Sequence, residues 1–394
     1  MRILVTDGDA RSALAAVRSL GRRGHEVITC AARLPSLAAA SRYSSAAEIY
    51  PDPTRDADGF VRALIDIVQR RAIDVLLPMT EVTTLLATQN RHLLPPGVRL
   101  PFASATAIAR ASDKAKVIEL AQQLGVPVPR SAMLASPDEA SALKASLTWP
   151  VVVKPACSRV RVGSRWISTS VAYAADPAAL RRLLAALPEA AFPVLLQERI
   201  EGPGVGVFVC MDGGEPVALF SHRRLREKPP SGGVSVLSES APLDPVARDH
   251  AVKLLRALDW RGVAMVEFKR DRRDGSLRLM EINARFWGSL QLAIRAGVDF
   301  PSILVGLESG EPLPKALEYR VGVRSRWLSG DLDSLLLVLR RSRRRLDLTT
   351  AHRGRWRTLW DFLHFWGRDL YYELEQRDDL GPARLEWRRW LFGS

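Results

Sequence analysis

Cysteine is scarce: Cys30, Cys157 and Cys210 are the only three in 394 residues, and they stand apart. They form neither a zinc-ligand spacing nor an even disulfide set, so a zinc module and a disulfide-stapled scaffold are set aside in favour of reduced core thiols. No apolar run approaches the ~18 residues of a membrane span. Met1-Arg2 leads straight into a short ILV run and Asp7-Gly8-Asp9, which is no secretory leader, so a cytoplasmic protein is expected. There is no G-x-G-x-x-G after the first strand and no G-x-x-x-x-G-K-[ST] anywhere, which removes the two common glycine-based nucleotide signatures. Nothing resembles paired zinc ligands or an RNP motif, so no specific nucleic-acid reader is expected. Acid is also in short supply. With 43 Asp and Glu against 57 Lys and Arg, the net charge of +14 favours anionic partners without choosing among nucleotides, nucleic acid and membrane surfaces.

What is present centres on Val263–Gly288, VAMVEFKRDRRDGSLRLMEINARFWG. Two apolar-rich runs, Val263–Lys269 and Ser276–Ile282, flank Asp274-Gly275, a hairpin turn pair. A turn near Asp274 puts Glu267 opposite Glu281, with cross-strand Cβ atoms roughly 4.5–5.5 Å apart. Met265 and Leu279 share the glutamates' parity, and Val266, Phe268, Met280 and Ile282 fill the other. Both faces are then expected to be buried, and two facing buried carboxylates need a cation. Asn283 and Arg285 continue the parity of Glu281. Such an all-oxygen donor set suits magnesium, with manganese the alternative, because that ion keeps waters and completes its shell with substrate phosphates. Taken alone, the stretch also fits an ordinary polar-faced hairpin.

The length allows two or three domains. Residues 1–100 alternate strand and helix as a parallel α/β layer, Rossmann-like in shape but with no dinucleotide assigned. Glu81, after LLPMT, lies where a substrate site would form at strand ends. Ser112 or Asp113 caps a helix running to Gly125, with Lys114 and Lys116 in its first turn. Lysine is unfavourable there unless an anion is near, a solvated side chain being the other reading. Val151–Pro155 is a short buried strand closed by Lys154, whose ammonium needs a partner. The loop after it carries Arg159, Arg161 and Arg165. Pro193–Ile200 is a strand ending in Gln197-Glu198-Arg199-Ile200, and Val205–Met211 pairs with Pro216–Phe220 around Asp212-Gly213-Gly214. Ser221–Ser240 is expected to be a long basic loop.

The motifs SDKAK, VVVKP, QERI, VEF and EINAR, in this order, resemble the ATP-grasp superfamily of carboxylate-amine ligases over residues 1–310. They resemble more loosely the ATP-binding lobes of carbamoyl-phosphate synthetase and biotin carboxylase. The resemblance implies a leading α/β Rossmann-like domain (1–100), α+β ATP-grasp small (101–195) and large (196–315) lobes, and a helical C-terminal extension (316–394). It implies that Lys114 and Lys154 contact ATP phosphates. Gln197, Glu198, Arg199 and Ile200 would form the adenine hinge, using main-chain groups of Glu198 and Ile200. Glu267, Glu281 and Asn283 would hold magnesium, and Arg285 would stabilise a phosphorylated intermediate. The SHRRLRE segment, with His222 and Arg226, would be a loop closing over that intermediate. Two departures stand out: arginines follow Lys154 where the family usually has glycines, and Gly204 stands where many members place a ribose-binding carboxylate.

The activity so implied consumes ATP to make an acyl phosphate from a small-molecule carboxylate, which an amine, or less readily a thiol, then attacks. A homodimer is compatible with it. The alternative is a catalytically degenerate nucleotide binder whose basic tail docks on a membrane or a protein partner, and Arg285, which a binder does not need, favours catalysis. Residues 318–394 hold six of the ten tryptophans, Trp327, Trp356, Trp360, Trp366, Trp387 and Trp390. Recurrence of Trp356, Trp360, Phe362–Phe365 and Leu370 at short steps predicts amphipathic helices. These would pack on the lobes, or face a membrane interface or a large partner.

Overall fold

Apolar-rich strands and helices packed against them build the first layer. β1 (Arg2–Val5), α1 (Arg11–Arg22), β2 (Glu26–Ala31), β3 (Ala46–Ile49), α2 (Ala57–Arg70) and β4 (Val75–Leu77) give a four-stranded parallel sheet of order β3-β2-β1-β4. β1 and β4 are buried on both faces, as parallel strands covered by helices are. Asp56 caps α2 by accepting from Gly59 N at 2.8 Å. The chain then enters α3 (Glu81–Gln89), α4 (Ala105–Ser112) and α5 (Lys114–Gln123). Asp7, at φ +56° just past β1, fixes where α3 begins. Its carboxylate accepts from Thr83 Oγ1 at 2.6 Å and from the Met79 and Thr80 amides at 3.2 and 3.1 Å. This computed structural model describes the chain except for residues 143–147, 158, 164, 169–170, 231–232, 311–317, 341–353 and 394, so the domain boundary expected at 315–316 lies outside the described residues.

A smaller antiparallel sheet follows. β5 (Ser131–Leu134), β6 (Val151–Pro155), the hairpin strands β7 (Arg159–Val162) and β8 (Arg165–Ser168), β9 (Ala172–Ala174), α6 (Pro177–Ala185) and β10 (Val194–Glu198) make up this lobe, with sheet order β5-β10-β6-β9. It packs on a core of its own, formed by Leu134, Val151, Val153, Leu180, Leu184, Val194 and Leu196. The arginine-rich stretch after Lys154 is therefore a β7–β8 hairpin turning at Gly163 (φ +62°), and Trp166 N donates to Thr54 O of the first layer at 2.7 Å.

The large sheet is built from β11 (Gly204–Asp212), β12 (Glu215–Lys228), β13 (Val234–Ser240), α7 (Pro245–Ala257), β14 (Gly262–Arg270), β15 (Leu277–Asn283), α8 (Leu290–Ala296), α9 (Phe300–Ser309), β16 (Arg324–Arg326), α10 (Leu328–Arg340), α11 (Arg355–Phe362), β17 (Leu370–Tyr372) and α12 (Gly381–Phe392). Its order is β15-β14-β11-β12-β13-β16-β17. Gly213 and Gly214, both at positive φ, close β11–β12 as a two-residue turn. Two expectations are corrected here. The stretch from Ser221 to Ser240 is mostly strand, because its basic residues find carboxylates on neighbouring elements: Arg223 on Glu239, Arg226 on Asp331, Lys228 on Asp333. And residues 316–394 are not purely helical, since β16 and β17 extend the large sheet. One continuous core joins the first layer to this sheet. Among the described residues no single helix is long and apolar enough to cross a bilayer.

Candidate functional site

The β14–β15 pair sets Glu267 directly opposite Glu281, and Met265 opposite Asn283. A bulge next to this pair, where Phe268 faces Leu279, leaves Met280 as the extra residue. The bulge overturns the expected parity. Leu279 enters the core with Leu277, Ile282 and Ala284 instead of sharing the glutamates' face.

The two carboxylates differ electrostatically. Burial raises the Glu267 carboxyl above its ordinary range, against the pull of the Arg224 guanidinium hydrogen-bonded to it, and Glu281 adds repulsion. Burial also disfavours ionised Glu281, yet Lys114, a hydrogen bond from Asn283 Nδ2 at 3.1 Å and Lys154 together hold it below the usual range. Arg285 lies next along: its Nη1 donates to Phe286 O at 2.9 Å and its Nη2 to Asn283 Oδ1 at 3.4 Å.

The lysines arrive from two directions. Asp113 caps α5 through the Ala115 and Lys116 amides, and Lys114 N donates to Ala156 O at 2.9 Å, tying the start of α5 to the end of β6. Lys114 is 8 % exposed. It is more buried than Lys154, which is half-buried, because the start of α5 is tied to the end of β6. Burial lowers the Lys154 ammonium to about 8, although Glu281 supports it, and its Nζ donates to Gln197 Oε1 at 2.8 Å. Gln197 Nε2 in turn donates to Ser131 Oγ at 3.1 Å. A cleft lined by Glu81, Ser112, Lys114, Glu281, Asn283 and Arg285 joins the first layer to β15, so Glu81 does reach the site.

At the end of β10 the Glu198 carboxylate is buried and accepts from Arg130 N at 3.0 Å and from the Arg273 guanidinium at 3.3 Å. The Glu198 amide donates to Arg130 O, so it is not available to a ligand. Ile200 O accepts from Lys269 Nζ at 3.2 Å, and the Arg199 guanidinium lies 5.5 Å over the Tyr173 ring. Gly202 lets this segment pass against β14: a Cβ there would lie 1.8 Å from Arg270 O.

His222 and Arg226 do not join this group. The His222 ring is stacked on Phe208 with centroids 4.6 Å apart and shares a 2.8 Å hydrogen bond with Ser289 Oγ, sealed in the core. Burial, with Arg224 nearby, pushes its pKa down to about 3. Between pH 6.5 and 3 the unfolded chain binds a proton that the folded chain refuses, so stability falls as pH falls through that window and is unaffected above it. Urea unfolding at pH 7 and pH 5 is expected to show a loss of about 2 kcal/mol that the His222→Gln variant does not share. Arg226 is turned away by a bulge at Leu225 and grips Asp331, with Nε to Oδ1 at 2.8 Å and Nη2 to Oδ2 at 2.5 Å. It lines a separate cavity of about 790 Å³ with Arg324, Arg326, Asp361 and Trp366. That cavity is far larger than the cleft at Glu281, but Arg226 and Arg326 are already committed to Asp331 and to main-chain carbonyls, so the chemistry is assigned to the cleft.

Sequence reasoning missed Arg224. It shares parity with His222 and crosses to Glu267 because Gly206, which faces both Glu267 and His222, puts no side chain between them. The glycine between two polar strand positions was the available clue.

Residues 191–330 match the family described as ATP-grasp in the biosynthetic pathway with Ter operon. The chain is similar to a formate-dependent phosphoribosylglycinamide formyltransferase from Synechococcus sp. (34 % identity; 35 % of this chain, 36 % of that protein). It is also similar to a D-alanine–D-alanine ligase from Stutzerimonas stutzeri (30 % identity; 51 % of this chain, 65 % of that protein). It thus spans under two thirds of either relative. In fold it is similar to biotin carboxylase from Campylobacter jejuni (TM-score 0.64, 20 % identity, 82 % of this chain and 74 % of that one). N5-carboxyaminoimidazole synthetase from Staphylococcus aureus gives TM-score 0.64 at 16 % identity over 85 % of this chain and 84 % of that one. Residues 191–330 of a chain with the ATP-grasp fold thus match an ATP-grasp family, and the relatives it resembles are ATP-grasp enzymes.

Proposed function

We propose that the protein is an ATP- and magnesium-dependent ligase that activates a small-molecule carboxylate as an acyl phosphate and passes the acyl group to an amine, releasing ADP and phosphate. The observation that supports this most is the Glu267–Glu281 pair, two carboxylates at one register position with Asn283 and Arg285 beyond and Lys114 and Lys154 beside them. In this reading residues 1–100 are a Rossmann-like leading domain, 101–195 and 196–315 the two ATP-grasp lobes, and 316–394 an extension completing the large sheet.

Glu267, Glu281 and Asn283 would hold magnesium, manganese being the alternative. Among the described residues no group of three His, Cys, Asp or Glu side chains forms a metal cluster, and two carboxylates with one amide suit an ion that keeps waters and takes phosphate oxygens. When bound there, the ion would neutralise charge on the transferring phosphoryl group. Arg224 favours the ionised form of buried Glu267, which a metal ligand requires. Lys154, depressed to about 8, would regain full charge beside a polyphosphate, and Lys114 would share that anion.

The substrate carboxylate oxygen bonds to the γ-phosphorus as the β–γ bridging bond breaks and ADP leaves. The amine nitrogen then bonds to the acyl carbon, phosphate departs with the electrons of the C–O bond, and the amine gives up a proton. Arg285 would face charge that grows in both steps.

The test is ADP and phosphate release over pools of carboxylates and amines, run beside Glu281→Gln. That variant is expected to lose magnesium-dependent turnover while staying folded with a modestly lower melting temperature, since relief of Glu267 is set against loss of the anion that Lys114 and Lys154 face. Wild-type turnover in Glu281→Gln would remove the metal assignment.

A further inference from the structure

Tryptophans in this chain are of two kinds. Trp260 and Trp287 are each 3 % exposed and belong to the main core. Trp356, Trp360 and Trp366 are 84, 68 and 88 % exposed. On α11, Trp356 and Trp360 lie one turn apart on one side, and Leu363, 49 % exposed, continues that side just past the helix. The other side is already occupied: buried Phe362 stacks on the Arg326 guanidinium at 4.5 Å, and its carbonyl accepts from Arg326. α11 is thus apolar both toward the protein and away from it, and its outward side has no cover among the described residues.

Large exposed apolar side chains grouped in this way mark a contact surface. Charge identifies what meets it. Arg355, Arg357 and Arg368 are exposed along this stretch, and the sequence from 340 to 370 holds nine arginines against three aspartates and no glutamate. Shape agrees with charge. Trp356 and Trp366 are almost fully solvated, Trp366 at the rim of the cavity that Arg226 also lines, and rings so exposed suit a fluid surface that closes around them. Indole beside arginine is the side-chain pairing of an anionic membrane interface.

We infer that α11 and the segment through Arg368 dock the protein on the surface of a bilayer containing anionic lipid, inserting Trp356, Trp360 and Trp366 at headgroup depth with no part of the chain crossing. This reading does not depend on the ligase assignment.

The full chain is mixed with phosphatidylcholine vesicles with and without about 30 % phosphatidylglycerol and separated by flotation. Co-flotation is expected only with the anionic vesicles, weakening about tenfold or more as salt rises from about 0.1 to 0.5 M. The Trp356→Ala/Trp360→Ala/Trp366→Ala variant should bind about tenfold more weakly or worse and melt like the parent, because the rings it removes are exposed. Should that variant melt early, brominated-lipid quenching of the parent's tryptophan fluorescence and flotation of Arg357→Glu take its place, with quenching and weakened flotation expected. Failure to bind anionic vesicles, unchanged binding of a well-folded triple variant, or absence of quenching overturns the proposal. So does a parent homodimer, seen by sedimentation velocity, that the triple variant dissolves, since a second copy would then cover the face.

Discussion

Replacing Arg285 with alanine is expected to lower ADP release by a factor of about 10² to 10³ while leaving ATP affinity nearly unchanged. Its two side-chain hydrogen bonds go to the Phe286 carbonyl and the Asn283 amide oxygen, which are neutral acceptors. They orient the guanidinium at the end of the Glu281–Asn283 face without neutralising it. Under the proposed function Lys114 and Lys154, beside Glu281, would take the phosphates of bound ATP, so a charge held beyond Asn283 would count most when negative charge shifts in the reaction. Calorimetric titration with ATP, paired with steady-state ADP release on an active substrate pool, separates the two effects. A tenfold weaker affinity at unchanged turnover per bound ATP would make Arg285 a ground-state clamp.

The parts of this fold legible from sequence are those set by short-range physics. Asp113 marks a helix start, Gly213-Gly214 and Asp274-Gly275 mark turns, and Glu267 is found opposite Glu281 because the bulge at Met280 makes up for a turn centred half a residue before Asp274. Counting fails where a strand gains a residue. The bulges at Met280 and Leu225 each exchange the faces beyond them, which moved Leu279 to the core and Arg226 to Asp331. Charge suggested a loop where β12 is a strand, because the carboxylates that pair with its basic side chains, Glu239, Asp331 and Asp333, lie on other elements. β16 and β17, three residues each, are too short to show a period of their own and exist because β13 offers an edge.

The second large effect concerns stability. Arg18 and Asp379 form a fully buried ion pair: Asp379→Ala or Arg18→Ala alone is expected to cost about 3–5 kcal/mol, because each strands a buried charge. Arg18 is fully buried and Asp379 3 % exposed, with Nε to Oδ2 at 2.7 Å. The remaining Arg18 N–H groups donate to the carbonyls of Glu373, Leu374 and Asp379 at 2.6 to 2.9 Å, and Ser41 Oγ donates to Asp379 at 2.6 Å. The double replacement Arg18→Met/Asp379→Leu removes both charges and should recover most of the loss. Guanidinium unfolding of the three variants checks this, and a double variant no better than the singles would show that the carbonyl contacts, not the charges, carry the stability.

The same pair bears on how the chain is made. Arg18 leaves the ribosome 361 residues ahead of Asp379, an interval of roughly 20 to 70 s at ordinary elongation rates. Throughout it, the α1 face that will meet the 370–379 segment carries a cation with no carboxylate to receive it, however completely the β1–β4 layer has formed. The nascent first layer therefore either keeps that face in water or lends it to a chaperone, and its last side chains settle only after nearly the whole of the rest has been synthesised.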